Sequence, residues 1–538
     1  MILFAGFIEV MLRSLTIIGL SLAVGGLFFT LIILRPFSDS SPLSVSLLRR
    51  TLSLIVAGSI LIAFSQGLVL IIAPWALADE MGQWPISQFL ATNFAHAGLI
   101  HAGLALFLAS IAARLMKRPF SRVGWIIATT VAMLLMVSGA WLVHGVSRLE
   151  HAAPLMVVTA LHQFGAALWV GGLIHLVVLW RFKLHAPEYA AQWLSVISRF
   201  SPFAMLSVGV LLAAGFYLAF SYIGTWQGLF GTAYGAMVLT KFMLLGCALG
   251  LGVFNFFSIQ RKIQHGVTTD VLTRVPVSIE SEALLGVIIL LAAVSLTSQP
   301  PSIDILADRA TPSEVVHVFA PKKPQLVPPP YREMLSQAVS SFDPFAVSSK
   351  LDRIQSNFNH NVAGLIVLLT GMTALLFRTG RAPWAHHWPL LFLLLSIFLL
   401  FYAEPTGWPL GNEGFWSTLI VPGVLQHRLA TLLVAILAMF EWRVQTGRLA
   451  GTQWRFAFPF LCIIGGALLL THSHSAFALK QAFLIEVSHN VLGFLAVLMG
   501  VGRLLELRYL KPINEVFGFV WSICLILLGF VLFFYQEA

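Results

Sequence analysis

Histidine side chains concentrate near one end of the long apolar runs in this sequence, where they could bind a metal ion. Ten of the 16 histidines fall there, accompanied by one glutamate. The set comprises His96, His101, His144, His151, His162, His360, His427, His472, His474, His489 and Glu486. Neutral imidazole binds copper, zinc or haem iron, and a polar side chain inside a membrane span is costly without a partner or a function. The shared depth favours metal ligation over the alternative, in which each histidine only satisfies backbone carbonyls at a helix end.

Helical geometry separates histidine pairs that could bind one ion from pairs that could not. At about 100° per residue, His144 and His151 differ by about 20° and share a face if the helix continues between them. His96 and His101 differ by about 140° on a helix, so they cannot readily chelate one ion together. We therefore expect the side chains of His96 and His101 to face different neighbouring helices.

A second candidate site lies towards the C-terminal end of the sequence. Glu486 and His489 are three residues apart and share a helical face. Such a carboxylate–imidazole pair can bind a metal or orient a metal ligand, with a capping interaction at the start of the helix as the alternative. His472 and His474 point apart on a regular helix, and they converge only if the helix frays there.

The sequence has no compact cluster of sulfur ligands. Its three cysteines, Cys247, Cys462 and Cys524, lie inside apolar runs and form neither a CxxC pair nor a disulfide framework. Apolar surroundings keep thiols protonated, so we interpret them as inert core residues. The methionines suit Cu(I) as ligands, but they also fill gaps between packed helices, and we favour packing.

The elements that position these residues are membrane helices. The chain is 58% hydrophobic and only 10% charged, with a mean hydropathy of +0.89, whereas a soluble domain is roughly 25% charged. Lipid must therefore solvate this amount of apolar surface. Fourteen apolar runs are long enough to cross a bilayer. They predict an all-α polytopic membrane protein with about 14 transmembrane helices in two bundles.

The distribution of basic residues predicts which side of the membrane each loop faces. Alternate loops hold most of the 32 Lys and Arg residues, whereas the opposite short loops hold only Arg148 and Lys480. Short loops rich in Lys and Arg stay in the cytoplasm, so both termini are predicted to be extracytoplasmic. The net charge of +10 then reflects membrane topology, and we expect the lipid bilayer, and no nucleic acid, as a partner.

A Pro-rich stretch predicts where the chain divides. Residues 299–359 combine many prolines with mixed charges, so they cannot span a membrane, and the Pro density argues against a compact domain. We expect an eight-helix module over residues 1–298, an extracytoplasmic linker over residues 299–359 and a six-helix module over residues 360–538. Apolar residues at helical spacing near the end of the linker predict a short surface helix.

The second module contains a short internal repeat, in which a His-Asn-Val triplet precedes two glycines. The copies are His360–Asn361–Val362 with Gly364 and Gly371, and His489–Asn490–Val491 with Gly493 and Gly500. His427 also opens an apolar run, so three outward-starting helices each begin with a histidine. We hypothesise three related helical hairpins that bring these histidines to one depth, with chance similarity of short apolar segments as the alternative.

Small and polar residues recur within the apolar runs between His151 and Asn255. They are Trp169–Val170–Gly171–Gly172 after a His-containing segment, Arg199–Phe200–Ser201–Pro202, Gly231–Thr232–Ala233–Tyr234–Gly235, Lys241 and Asn255. This pattern resembles the copper resistance protein D (CopD) family of bacterial inner-membrane proteins over about residues 90–298, more loosely over residues 1–90, and not after residue 299. The resemblance implies a multi-pass inner-membrane protein that handles copper ions on the extracytoplasmic side. A periplasmic copper-binding protein is a further expected partner.

Three functions are compatible with these patterns. The first is copper transport or uptake across the membrane in copper homeostasis or resistance, with outer-leaflet histidines taking up the ion. The second is electron transfer by b-type haem held on such histidines. The third is a scaffold without bound metal, supported by the lack of a Cys/Met cluster. We find no nucleophile–base pattern, cofactor fingerprint or ATPase signature, so we expect no enzyme, and any transport to be passive or driven by an ion gradient.

Overall fold

The computed structural model describes residues 2–37, 41–142, 152–264, 268–337, 349–405, 407–471 and 479–537. These residues form helices and no β-strand. Fourteen of the helical segments are long and apolar enough to cross a membrane. The prediction of an all-α polytopic membrane protein with about 14 spans is therefore confirmed.

The chain divides into two compact units that are not continuous in sequence. The first consists of Met1–Tyr222 and Leu245–Ser298, and the second of Ile223–Leu244 and Gln299–Ala538. The segment Ile223–Leu244 thus belongs with the C-terminal half of the chain. The three-part division proposed from the sequence stays a prediction.

The first unit is built from long helices joined by short ones. The helices in the N-terminal half of the chain are α1 (Ile2–Leu20), α2 (Gly26–Phe29), α3 (Pro42–Met81), α4 (Ile86–Leu90), α5 (Asn93–Lys117), α6 (Arg122–Ala140), α7 (Ala152–Leu179), α8 (Ala190–Ile223), α9 (Trp226–Phe230), α10 (Ala233–Gln264) and α11 (Thr268–Thr297). Of these, α9 and the first turns of α10 belong to the second unit. Two π-helical turns, Ser21–Gly25 and Thr30–Leu34, flank α2 within the first span.

Glycines let the first span and α7 pack with their backbones in contact. A Cβ built on Gly25 would lie 1.9 Å from the carbonyl oxygen of Ala167, and one on Gly171 would lie 2.0 Å from that of Ser21. No side chain larger than hydrogen fits at either position. The Gly171–Gly172 pair in the sequence thus serves close helix packing, as small residues commonly do in membrane proteins.

The second unit begins with Ile223–Leu244 and continues through the C-terminal helices. The helices after α11 are α12 (Pro312–Phe319), α13 (Tyr331–Gln337), α14 (Lys350–Arg378), α15 (Leu390–Tyr402), α16 (Phe415–Thr418), α17 (Pro422–Gln445), α18 (Ala457–Leu470), α19 (Leu479–Arg508) and α20 (Ile513–Phe533). The residues expected to form a short surface helix near the end of the linker are the first turns of the long helix α14, and Phe358 there is buried against α15. Ser349 caps α14 by accepting a hydrogen bond from the amide of Asp352 at 3.2 Å, and the helix then continues unbroken to Arg378.

The repeated glycines lie at helix–helix contacts. A Cβ on Gly364 would meet the backbone nitrogen of Phe533 in α20 at 2.2 Å, and one on Gly371 would meet Ile526 of the same helix. In the second copy, a Cβ on Gly500 would meet the carbonyl oxygen of Pro459 in α18 at 2.6 Å. Each copy of the repeat therefore presents its glycines to one neighbouring helix, α20 for α14 and α18 for α19.

Charged side chains join four helices inside the second unit. Arg503 of α19 donates to Glu441 of α17 at 2.8 Å and to Glu506 of its own helix at 2.7 Å. Glu506 also accepts from Arg378 at the end of α14 and from the indole of Trp521 in α20. Glu441 and Arg503 are buried. Because two arginines face two glutamates, the network is neutral, and this lets charges persist inside an apolar bundle.

Candidate functional site

The structure gives the surroundings of seven of the eleven predicted site residues. His144, His151, His472 and His474 lie outside the described residues, and their predicted role as metal ligands stays a prediction. The remaining candidates lie in both units. No group of three or more His, Cys, Asp or Glu side chains in the described ranges is arranged to hold a metal ion.

In the first unit, two of the predicted histidines link neighbouring helices through hydrogen bonds. His101 of α5 lies 2.9 Å through Nδ1 from the hydroxyl of Ser138 in α6, and that hydroxyl itself donates to the carbonyl of Leu135. His162 of α7 donates through Nδ1 to the carbonyl of Leu211 in α8 at 2.9 Å. These contacts join α5 to α6 and α7 to α8, and the metal-ligand role predicted for His101 and His162 stays a prediction. His96 is exposed near the start of α5 while His101 is buried, so the two do not share a ligand position.

In the second unit, two predicted histidines come into direct contact. His360 of α14 and His489 of α19 have ring centroids 5.8 Å apart, with ring planes at 88°. Tyr535, just after α20, stacks on His360 at 4.1 Å and meets His489 edge-on at 6.1 Å. We call these three side chains the His–His–Tyr cluster. It lies where α14 and α19 begin and α20 ends.

Backbone hydrogen bonds fix the tautomer of both imidazoles in this cluster. Nδ1 of His360 lies 2.8 Å from the carbonyl oxygen of Ser356, and Nδ1 of His489 lies 2.9 Å from that of Ile485. A carbonyl can only accept, so Nδ1 carries the proton in each ring. The lone pair that can bind a metal is therefore on Nε2 of both residues, and the Nδ1 contacts orient the rings as such contacts do for metal ligands.

The segment after α20 is held over the two histidines by Asn361, the residue next to His360. The Asn361 amide donates to the carbonyl oxygens of Tyr535 at 2.8 Å and Leu532 at 3.3 Å. Its own oxygen accepts from the backbone amide of Gln325 at 2.6 Å. In the first copy of the repeat, His360 thus supplies one ring of the cluster, and the adjacent Asn361 holds the segment that carries Tyr535.

The third helix-opening histidine has a different partner. His427 of α17 lies 2.6 Å through Nδ1 from the carboxylate of Glu404, which follows α15. Gln355 of α14 donates to the carbonyl of Tyr402 at the end of α15, so this pair lies at the same end of the bundle as the His–His–Tyr cluster. A carboxylate on one imidazole nitrogen raises the basicity of the other, as in carboxylate–histidine–metal arrangements.

Glu486 has a separate environment from His489, although the two share a helix. Glu486 is buried and lines a small cavity with Thr232, Tyr234 and Asp308. His489 instead donates a hydrogen bond from Nδ1 to the carbonyl of Ile485. The predicted use of Glu486 and His489 as one metal-binding pair stays a prediction.

Near this cavity, α12 is fastened to α19 by a salt bridge. Lys480 lies 2.6 Å from the carboxylate of Glu314. This ammonium group, together with hydrogen bonds from Thr311, lowers the pKa of Glu314 to about 2. The segment before α14 is thereby tied to the helix that carries His489.

Sequence reasoning missed several polar residues of the helical interior. Tyr535 and Glu404 flank the candidate histidines, and Glu282 and Glu441 are carboxylates buried inside spans. Glu282 and Glu441 could have been found from the sequence, because an ionisable residue within an apolar run indicates a partner or a function. No such signal existed for Tyr535, which lies in an ordinary aromatic stretch at the end of the sequence.

Parts of the sequence are similar to proteins named for copper. Residues 194–296 match the family described as Copper resistance protein D. The chain is 29% identical over 298 residues to the copper transport protein CutJ of Bacillus subtilis (strain 168), an alignment that covers 54% of this chain and 52% of that protein. The chain thus spans about half the length of this curated relative. No solved structure matches the chain. The resemblance found in the sequence is confirmed by the match of residues 194–296 to the copper resistance protein D family.

Proposed function

We propose that this membrane protein transports copper across the bacterial inner membrane, and that His360 and His489 bind the ion during its passage. The observation that carries the proposal is the contact between these two imidazole rings, 5.8 Å apart at one end of a helical bundle. The family match and the copper transport relative support copper as the ion. Both favour a transporter over an enzyme, and neither points to haem.

The chemistry of the His–His–Tyr cluster suits a cargo that must bind and then leave. Imidazole nitrogen is a good copper ligand in either oxidation state. Cu(I) has a filled d shell and no geometric preference, so it accepts low coordination numbers. A pair of imidazoles therefore binds Cu(I) without enclosing it, and a site with few ligands releases its ion more readily than a full coordination shell.

The proposed orientation follows from the basic loops. It places both termini and the start of α14 on the extracytoplasmic side, where a periplasmic copper-binding protein would deliver the ion. Copper would then meet His360 and His489 first. His427 with its partner Glu404, and the exposed His96, are further proposed contacts on the same side.

Copper accumulation by cells tests the proposal. We expect replacement of both histidines, His360→Gln and His489→Gln, to reduce copper accumulation to the level of cells lacking the protein. Glutamine can still donate to the backbone carbonyls that hold Nδ1, so packing is retained while the Nε2 lone pairs are lost. The matched control is His317→Gln in α12, because His317 is exposed and lies outside the spans.

The amount of protein in the membrane separates function from folding. Immunoblots should give equal amounts of wild type, double variant and control. Unchanged copper accumulation in a double variant that is present at normal amount would remove the two histidines from the transport route.

A further inference from the structure

A carboxyl group is buried inside the first unit, away from the His–His–Tyr cluster. Glu282 lies in α11, within a segment long and apolar enough to span the membrane, and only 6% of its surface is exposed. The indole Nε1 of the buried Trp169 in α7 donates to its Oε1 at 3.1 Å. Intramembrane carboxyl groups are costly and are commonly retained for a function.

A second polar side chain faces this carboxyl group from α10. The side chain of Asn255 lies beside Glu282 and is 5% exposed. Neither of its amide atoms has a hydrogen-bond partner within the described ranges. One turn earlier, a Cβ on Gly252 would lie 3.3 Å from Oε1 of Glu282, so α10 leaves room for the carboxyl group. An unsatisfied buried amide is costly, and the polar group within its reach is the carboxyl group of Glu282.

Charged and titratable groups on α1 and α7 are engaged away from Glu282. On α1, Arg13 pairs with Glu9. At the end of α7, Arg181 binds Glu280 through two hydrogen bonds of 2.7 and 2.9 Å. The two histidines within α7 hydrogen-bond to backbone carbonyls: His162 donates to Leu211 and His175 donates to Gly171. Trp169 and Asn255, the two polar side chains shown against Glu282, carry no charge.

This neutral pair can support both protonation states of Glu282. The Trp169 indole is only a donor, so it bonds to a carboxylate or to the carbonyl oxygen of a carboxylic acid. The Asn255 amide presents its oxygen to accept from a carboxylic acid, and after rotation it presents its NH₂ group to a carboxylate. A cation at this position would stabilise the charged form alone, whereas this arrangement permits the proton to bind and leave.

We propose that Glu282, Trp169 and Asn255 form a proton-binding site that exchanges a proton as copper crosses the membrane. The exchange rests on the proposed copper transport, while proton binding itself does not. In this step the O–H bond of the Glu282 carboxylic acid breaks, the electron pair stays on the carboxylate oxygen and the proton passes to a water molecule. One proton moving against one Cu(I) balances the charge across the membrane without any redox change.

Infrared spectroscopy of the purified full-length protein tests proton binding directly. We expect a carboxylic C=O band that disappears as pH is raised, is absent in Glu282→Gln and is retained in the control Glu280→Gln. Glu280 is two residues away on the same helix and pairs with the exposed Arg181. Asn255→Leu should move the midpoint of this band to higher pH, because hydrogen bonds to a carboxylate are stronger than those to a neutral acid. A set of carboxylic bands that is identical in wild type and Glu282→Gln would overturn the proton site.

Copper flux into proteoliposomes tests the coupling. We expect a pH gradient to alter the initial rate several-fold in wild type and Glu280→Gln, and to have no effect in Glu282→Gln. An equal response of Glu282→Gln and wild type to the gradient would overturn coupling at Glu282. If wild type carries no copper at any pH while the Glu282 band still titrates, the transport proposal and the coupling fail together, and the proton-binding site stands.

Discussion

At the scale of single residues, the same kind of hydrogen bond orients two imidazole rings in the second unit. His360 and His489 each donate a hydrogen bond from Nδ1–H to the backbone carbonyl four residues earlier in their own helix. These hydrogen bonds are formed within one helix, so the tautomer does not require a partner from another helix. The contact between the two rings then depends only on how α14 and α19 pack, because each ring is already oriented.

Tyr535 should support copper binding through its ring and not through its hydroxyl. The ring stacks on His360 at 4.1 Å, and burial raises the pKa of its hydroxyl, so the phenol stays neutral. We expect Tyr535→Phe to keep the copper affinity of wild type. Tyr535→Ala should weaken it by about 2- to 10-fold, since an aromatic pair contributes about 0.5–1.5 kcal/mol. Competition titrations with a Cu(I) chelator measure both, and a large loss in Tyr535→Phe would instead assign a role to the hydroxyl.

The sequence predicted the histidines of the His–His–Tyr cluster but not the side chains around them. His360 and His489 could be found because a histidine at the start of an apolar run is unusual. Tyr535 and Glu404 could not, since they depend on which helix ends meet in space. For His101 and His162, the pattern did not distinguish metal ligation from the hydrogen bonds to Ser138 and Leu211 that the structure contains.

At the scale of helices, a buried charge network and small residues hold the second unit together. Gly364 and Gly371 bring α14 onto α20 with no side chain between them. At the other end of α14, Arg378 binds Glu506. The repeated glycines and their spacing can be read from the sequence. Their partners could not be predicted, because spacing does not identify the neighbouring helix.

Arg503 should be the most sensitive member of the charge network. It is buried and bridges Glu441 and Glu506. Arg503→Met would leave the fully buried Glu441 without its cation, and breaking a buried pair costs about 3–5 kcal/mol. The double variant Glu441→Gln with Arg503→Met removes the stranded charge, so we expect it to recover much of that loss. Thermal unfolding in detergent compares the variants with the exposed-pair control Lys511→Met, which should resemble wild type.

The salt bridge between α12 and α19 has a defined pH range. The pKa of Glu314 is about 2 because of Lys480 and Thr311, against about 4.3 for an unperturbed glutamate. A lowered acid pKa means that the stabilisation is complete above about pH 4.3 and is lost as pH falls towards about 2. NMR of ¹³C-labelled glutamate should detect no titration of Glu314 between about pH 6 and 4. In Lys480→Met the titration should move towards the ordinary range, and an unchanged curve would exclude the salt bridge.

The helix α14 begins ten residues before residue 360, where the six-helix module is predicted to start. Ser349 and Asp352 form a capping box, a recognised signal for a helix start. The proline-rich composition of the preceding stretch obscures that signal in the sequence. The helix therefore begins at Lys350 and carries His360 in its third turn.

At the scale of the whole molecule, the orientation of the chain decides which side of the membrane the His–His–Tyr cluster faces. The basic loops predict that residue 330 and the C-terminus are extracytoplasmic. Alkaline phosphatase fused at either position should therefore be active, and a fusion after Arg381 should be inactive. Cytoplasmic behaviour at residue 330 would reverse the orientation and place His360 and His489 on the inner side.

The most direct test of the central claim is copper binding by the purified, full-length protein under reducing conditions. Metal analysis and X-ray absorption should find about one Cu(I) per chain with nitrogen ligands, since imidazole is a good ligand for copper. His317→Gln should retain this copper, and the double variant His360→Gln with His489→Gln should lose it. A double variant that is folded and keeps the same copper content and spectrum would contradict the claim, as would a wild-type protein that shows a haem Soret band and binds no copper.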